Sequence, residues 1–298
     1  MTPGEPAYDA FGMLDVPATV RGATSHRGIT YGEVLGFRPL LMDVHVPVGA
    51  RGPVPCVVWV HGGAWEYGDR RFTPGHWPAG LWFESLVGAG LAVATVDYRF
   101  LGEVHYPGAL HDVKAAVRFL RSHAVDLGID PGRLGVSGES AGGQLAAMVA
   151  LTGDEPALEG AVGLRGPSSA VQAAAILYGV TDFSALLASR ALPPGQIPDQ
   201  PESRFLGATP EQAPGLAVDA SPVSHATRSA PPILLVSGDC DATVPLDQSE
   251  RLRDALVAAG ARDVVLEVVP GAVHCFVGVD PAPPLATAVR FLAARLGA

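Results

Sequence analysis

The sequence predicts an α/β fold, a mostly parallel sheet covered by helices on both faces. Three observations lead there. Short apolar runs rich in β-branched residues recur along the chain, as strands buried on both faces require. Segments of helical periodicity stand between them, and that alternation implies parallel strands joined by helical crossovers. With 298 residues, 48% of them apolar, the chain can bury one large core.

Residues 1–28 are rich in Gly, Pro and Ala, lack a period, and read as an irregular N-terminal segment. Strands are expected at 40–46, at 56–60 (CVVWV, bounded by Pro55 and Gly62) and at 91–96 (LAVATV). Pro107 opens a helical pattern that ends near Gly128, with Leu110, Val113, Val117, Leu120 and Ala124 on one face. A short strand at 134–136 runs into GVSGESAGGQL, and 141–151 reads as a helix. Strands at 173–178, 233–236 and 264–269 and helices at 246–259 and 284–296 complete the alternation within a single domain. Residues 182–227 break the rhythm with many Pro and Gly. A plain loop of that length is uncommon in a compact domain, so the segment is expected to be a cap or lid over the C-terminal strand ends.

Composition narrows the partners. Net charge is −10 and the basic residues are not clustered, which excludes the electropositive footprint of a nucleic-acid binder. No apolar run approaches the roughly 20 residues of a membrane span, and the first residues carry no signal-peptide pattern. Three cysteines, Cys56, Cys240 and Cys275, make no disulfide framework. The expectation is a cytoplasmic protein outside the membrane; oligomeric state leaves no trace in the sequence.

The pattern G-x-S-x-G is centred on Ser140. By itself it is weak, because 36 Gly and 15 Ser in 298 residues give roughly 0.2 chance matches. Its setting is stronger: Ser140 falls where a strand turns into a helix, the place of a nucleophile elbow. Gly138 and Gly142 would remove side chains that collide where strand and helix pass. A serine hydroxyl needs a base, and the base needs a carboxylate to hold it. After the strand at 233–236 comes SGDCDATVP, and after that at 264–269 comes PGAVHCF. Asp241 and His274 are therefore the expected acid and base, with Asp239 as the alternative acid. HGGAW at 61–65 follows an earlier strand. The N–H groups of Gly62 and Gly63, with that of Ala141, are expected to form an oxyanion hole.

Together, HGGAW, VDYRF at 96–100, GESAGG at 138–143, SGDCDATVP at 237–245 and GAVHCF at 271–276 resemble the α/β-hydrolase superfamily. More narrowly the chain is similar to small bacterial carboxylesterases of the hormone-sensitive-lipase and feruloyl-esterase-like (BD-FAE) type. Ala64 stands where such an oxyanion loop commonly has a third glycine, and Glu139 where hormone-sensitive-lipase relatives usually have Asp. The resemblance implies an α/β-hydrolase fold and a serine carboxylester hydrolase working through an acyl-enzyme. It needs neither metal nor organic cofactor. Expected substrates are small-molecule esters, small or aromatic, with short acyl chains. An amidase, formamidase or peptidase on the same residues is the alternative within catalysis, and a non-catalytic binding protein on this fold the alternative outside it.

Other residues have plainer readings. Trp65 and Tyr67 are candidate substrate-pocket walls, whereas Phe72, Trp77 and Trp82 read first as core. His61 reads as loop-structuring, Asp97 and Arg99 as braces of the loop after their strand, and Asp112 as structural. His105, His111 and His123 form no metal-ligand spacing. Cys240 and Cys275 flank the expected acid and base, close enough in sequence to raise the question of pairing.

Overall fold

A computed structural model describes residues 20–298. Its eight strands are β1 (Ala23–Gly32), β2 (Leu40–Pro47), β3 (Val54–Val60), β4 (Ala92–Val96), β5 (Ile129–Glu139), β6 (Ala173–Leu177), β7 (Ile233–Gly238) and β8 (Val264–Val269). They form one sheet in the order β1-β2-β4-β3-β5-β6-β7-β8. The pairs β1–β2 and β2–β4 are antiparallel, and every pair from β4–β3 to β7–β8 is parallel. The fold class expected from the alternation is the one observed.

The apolar runs are explained by burial on both faces. Along β3, Cys56, Val58 and Val60 enter one core while Val57 and Trp59 enter the other. The first core lies under α2 (Gly108–Ser122), α4 (Ser140–Leu151) and α8 (Leu246–Ala258). The second lies under α1 (Leu81–Gly88) and α9 (Ala282–Leu296). The helical pattern expected from Pro107 to Gly128 is interrupted at His123, after which a single turn, α3 (Ala124–Leu127), ends at Gly128 in left-handed backbone, φ 68°.

Two elements differ from expectation. The irregular segment expected over 1–28 overlaps β1 at its C-terminal end; the rest, 1–19, lies outside the described residues. β1 is an exposed edge strand of sequence ATSHRGITYG that buries little besides Tyr31, so it lacks the apolar alternation that announces a strand. α1, of sequence LWFESLVG, is short and apolar on most sides, which hides its period. The segment 182–227 is no bare loop. It holds α5 (Phe183–Ser189), α6 (Pro201–Leu206) and α7 (Pro214–Ala220). Phe205 of α6 stacks on Trp65, with centroids 4.5 Å apart.

Buried ion pairs brace the loop after β4, as expected for Asp97 and Arg99. Arg70 bridges Asp43 (2.8 Å) and Asp97 (3.1 Å). Arg99 grips Asp112 on α2 through Nη2 and Nε at 2.7 and 2.9 Å, and its backbone N–H donates to the same carboxylate. Burial pushes the Asp112 carboxyl up while Arg99 pulls it down. Removing one partner of such a pair strands the other charge. Asp112→Ala is expected to lower the free energy of urea unfolding by about 3–5 kcal/mol, far beyond an exposed surface pair.

Candidate active site

Every candidate residue stands just past the C-terminal end of a strand, where open α/β sheets build their sites. Ser140 follows β5 and opens α4 with φ 53°, in the left-handed region. The crossing is tight. A Cβ on Gly138 would overlap the Gly142 carbonyl, and one on Gly142 would overlap the carbonyls of Val60 and His61. On Gly143 a Cβ would come within 2.8 Å of the Gly179 backbone.

The three residues expected to work together are in hydrogen-bonded sequence. His274 Nδ1 lies 2.7 Å from Asp241 Oδ2, and His274 Nε2 lies 3.0 Å from Ser140 Oγ. A carboxylate can only accept, so Nδ1 carries the proton and Nε2 offers its lone pair to the serine hydroxyl. The other oxygen of Asp241 accepts the N–H groups of Thr243 (2.8 Å) and Val244 (2.9 Å), which fixes the carboxylate plane. Asp239 is elsewhere: its Oδ1 accepts the Gly271 N–H at 2.7 Å. The loop geometry thus brings Asp241, and not Asp239, to the imidazole.

His274 is held by residues that spacing does not reveal. The carbonyl of Cys275 accepts from Trp77 Nε1 (2.9 Å) and His76 Nε2 (2.8 Å). That fixes a backbone turned into left-handed space at Cys275 and Phe276, φ 63° and 65°. Trp77 also stacks on Phe276, 6.2 Å apart and nearly parallel. Tyr178, after β6, sets its ring edge against the imidazole at 5.0 Å.

The oxyanion-loop expectation needs one correction. The Gly62 N–H donates to Glu139 Oε1 at 2.7 Å, so it is consumed and cannot serve a substrate. A Cβ at Gly62 would overlap that carboxylate. Gly63 and Ala64 turn through left-handed backbone, φ 100° and 53°, and their N–H groups have no protein acceptor among the described residues. Ala64, with Ala141 and Ser140, lines a cavity of ≈ 260 Å³. Glu139 is buried, 2% exposed. Burial pushes its carboxyl up to about 7, opposed first by the charge of His274 and then by the Gly62 N–H. His61 is buried as a loop support: its ring stacks on Tyr98 at 4.5 Å, its Nδ1 lies 2.7 Å from the Gly62 carbonyl, and burial lowers it to about 4.

Of the two aromatic candidates, Trp65 lines the cavity and Tyr67 does not. Trp65, Phe183 and Phe205 stack against one another as a three-ring cluster, and the Trp65 indole N–H points to Gln144 Oε1 at 3.3 Å. The Tyr67 backbone instead wraps the turn at Gly63, and its half-exposed ring leans on Phe72. Cys240 and Cys275 are unpaired. Burial drives the Cys275 thiol well up, beside Glu139 and Asp241, whereas Cys240 is exposed against Asp239. Among the described residues, no helix is long and apolar enough to cross a membrane.

The chain is similar to known esterases. Esterase LipQ of Mycobacterium tuberculosis is 33% identical over 274 residues, 89% of this chain and 61% of that protein. A probable carboxylic ester hydrolase of the same organism, LipM, is 30% identical over 85% of this chain and 56% of its own length. The chain therefore spans about three fifths of the length of these curated relatives. Among solved structures, a truncated carbohydrate esterase from gut microbiota superposes with a TM-score of 0.84 at 26% identity, covering 95% of this chain and all of that one. The propionate-bound esterase Est2 of Thermogutta terrifontis superposes with a TM-score of 0.72 at 26% identity, covering 93% and 96%. The sequence matches the BD-FAE family over residues 42–256, and on that match the chain belongs to the BD-FAE family, built on the α/β-hydrolase fold.

Proposed function

We propose that the protein is a serine carboxylester hydrolase acting on small-molecule esters with short acyl chains. The observation that carries this reading is the unbroken hydrogen-bond sequence from Asp241 through His274 to Ser140. Ser140 Oγ attacks the ester carbonyl as His274 Nε2 takes its proton. The oxyanion that forms meets the N–H groups of Gly63, Ala64 and Ala141, aided by the N-terminus of α4. His274 then protonates the departing alkoxide. Water, activated by the same imidazole, releases the acid from Ser140. Asp241 holds the tautomer and stabilises the imidazolium. The segment 182–227 acts as a cap whose α6 seals the apolar wall at Trp65.

Glu139 belongs to this reading as a brace. It ties the nucleophile strand to the oxyanion loop, so that the two halves of the site keep their spacing.

A fluorophosphonate probe read by intact mass tests the nucleophile: one adduct is expected on the wild type and none on Ser140→Ala. On nitrophenyl acetate, Asp241→Asn is expected to lower kcat by about 10³–10⁴, while Asp239→Asn stays within about threefold. An unlabelled wild type, or a labelled Ser140→Ala, refutes the assignment.

Gly62→Ala forces the new methyl into the Glu139 carboxylate and is expected to lower kcat/KM by about 10²–10³ through displaced donors. Glu139→Gln keeps an acceptor for the Gly62 N–H and removes the charge. Glu139 holds a proton in the folded state up to about 7, against 4.5 for its ordinary value. Between those values the folded protein binds the extra proton, so this group's contribution to stability falls as pH rises. From about pH 5 to about pH 8, the variant is expected to gain on the wild type by on the order of 2–3 kcal/mol in urea unfolding.

A further inference from the structure

We propose that the ion pair Arg190–Glu202 bounds the acyl site and excludes long chains, making the substrate an ester of a short, uncharged acyl group. This rests on the serine-hydrolase reading above and adds the residues that set its specificity.

The cavity at Ser140 identifies which half of an ester it can hold. Its lining includes Ala64, Ser140 and Ala141 but not His274. The leaving alkoxide must lie within hydrogen-bond reach of His274 Nε2 to be protonated. The cavity reaches Ser140 and Ala64 without reaching His274, so the acyl group is assigned to it. Its volume is ≈ 260 Å³. That is below the roughly 300–1,000 Å³ of ordinary ligand pockets.

The wall is apolar at Trp65, Val180 and Val244, then changes character at Arg190, Gln200 and Glu202. Arg190 Nη1 and Nη2 each donate to one Glu202 oxygen at 2.8 Å. Nη1 also donates to Gln200 Oε1 (2.9 Å), and Nη2 to the Thr243 carbonyl (3.3 Å). Glu202 is buried, 4% exposed. Both terminal nitrogens are thus engaged and the opposite charge lies against them, so the wall offers no free cation to an anionic acyl group. A growing alkyl chain meets a closed bidentate pair that it cannot hydrogen-bond. Separating that pair strands a buried charge, whereas an apolar wall would yield by rotamer change.

Thr243 makes a control necessary. Its carbonyl accepts from Arg190, and its N–H donates to Asp241. A change at Arg190 that only loosened the acid would slow all esters in proportion. Chain-length ratios separate the two effects.

The test is kcat/KM on nitrophenyl esters from acetate to decanoate, with fluorophosphonate labelling of each protein in parallel. Wild type is expected to fall by about tenfold or more between butyrate and decanoate. In the double variant Arg190→Met with Glu202→Leu, which keeps volume and removes both charges, the decanoate-to-butyrate ratio is expected to rise by about tenfold. Glu202→Gln keeps the shape and weakens the pair, and should raise the ratio by about threefold. A flat wild-type profile, or ratios unchanged in either variant while acetate is turned over, overturns the proposal alone. A wild type that neither takes the probe nor hydrolyses any ester overturns the hydrolase reading and this proposal with it.

Discussion

The site depends on how closely three backbones pass beneath Ser140. β5 ends, the chain reverses at a left-handed serine, and α4 begins under the carbonyls that close β3. No Cβ fits at Gly138 or Gly142, and one at Gly143 would crowd the Gly179 backbone. A non-glycine residue in left-handed backbone costs on the order of 1–3 kcal/mol and persists only when its surroundings hold it. Here both cores do so. β5 lies between β3 and β6 at the middle of the parallel sheet, and α4 is buried along almost its whole length. The strain exposes a hydroxyl that a relaxed helix start would have hidden.

From that crossing the polar parts follow in turn. The oxyanion loop leaves β3 next to β5, so the carboxylate of Glu139 reaches the Gly62 N–H directly. The arrangement is expensive electrostatically: burial holds the carboxyl near 7. Its geometric return is that the loop's first N–H is fixed just before the left-handed turn at Gly63 and Ala64. His61 makes the complementary choice. A ring kept neutral by burial, lowered to about 4, stacks on Tyr98 at 4.5 Å. Both ionisable groups are thereby given to architecture, and the proposed reading leaves His274 as the base.

Much of this was legible in the chain because it rests on local rules. Buried parallel strands must be apolar runs, and an elbow must carry glycines around its serine. An acid and a base delivered by consecutive strands must come in the order Asp241, then His274. Legibility ended where the cause was tertiary. β1 is an edge strand whose residues mostly face solvent, so no hydrophobic pattern marks it. The spacing of HGGAW is equally compatible with any neighbouring pair of donors. Only the partner 77 residues away shows that Gly62 is spent on Glu139. Tyr67 follows Trp65 by two positions, yet the left-handed turn from Gly63 to Trp65 sends the two rings apart. Trp77 reads as core, and it is core, but its indole N–H also holds the turn after His274.

The same distinction explains why the cap matters to chemistry as well as to access. On the proposed reading the sheet carries nucleophile, acid and base just past its strand ends, and Asp241 depends on the loop that follows it. Thr243 gives its N–H to Asp241 and its carbonyl to Arg190. Trp65, at the end of the loop after β3, stacks against Phe183 and Phe205 of α5 and α6. The segment 182–227 therefore touches the acid's support on one side and the oxyanion loop's on the other. A segment so connected cannot drift without loosening both, so the residues of the proposed acyl wall are under two constraints at once. That coupling favours a cavity of fixed size, because enlarging it means rebuilding contacts that also hold the acid and the oxyanion loop in place.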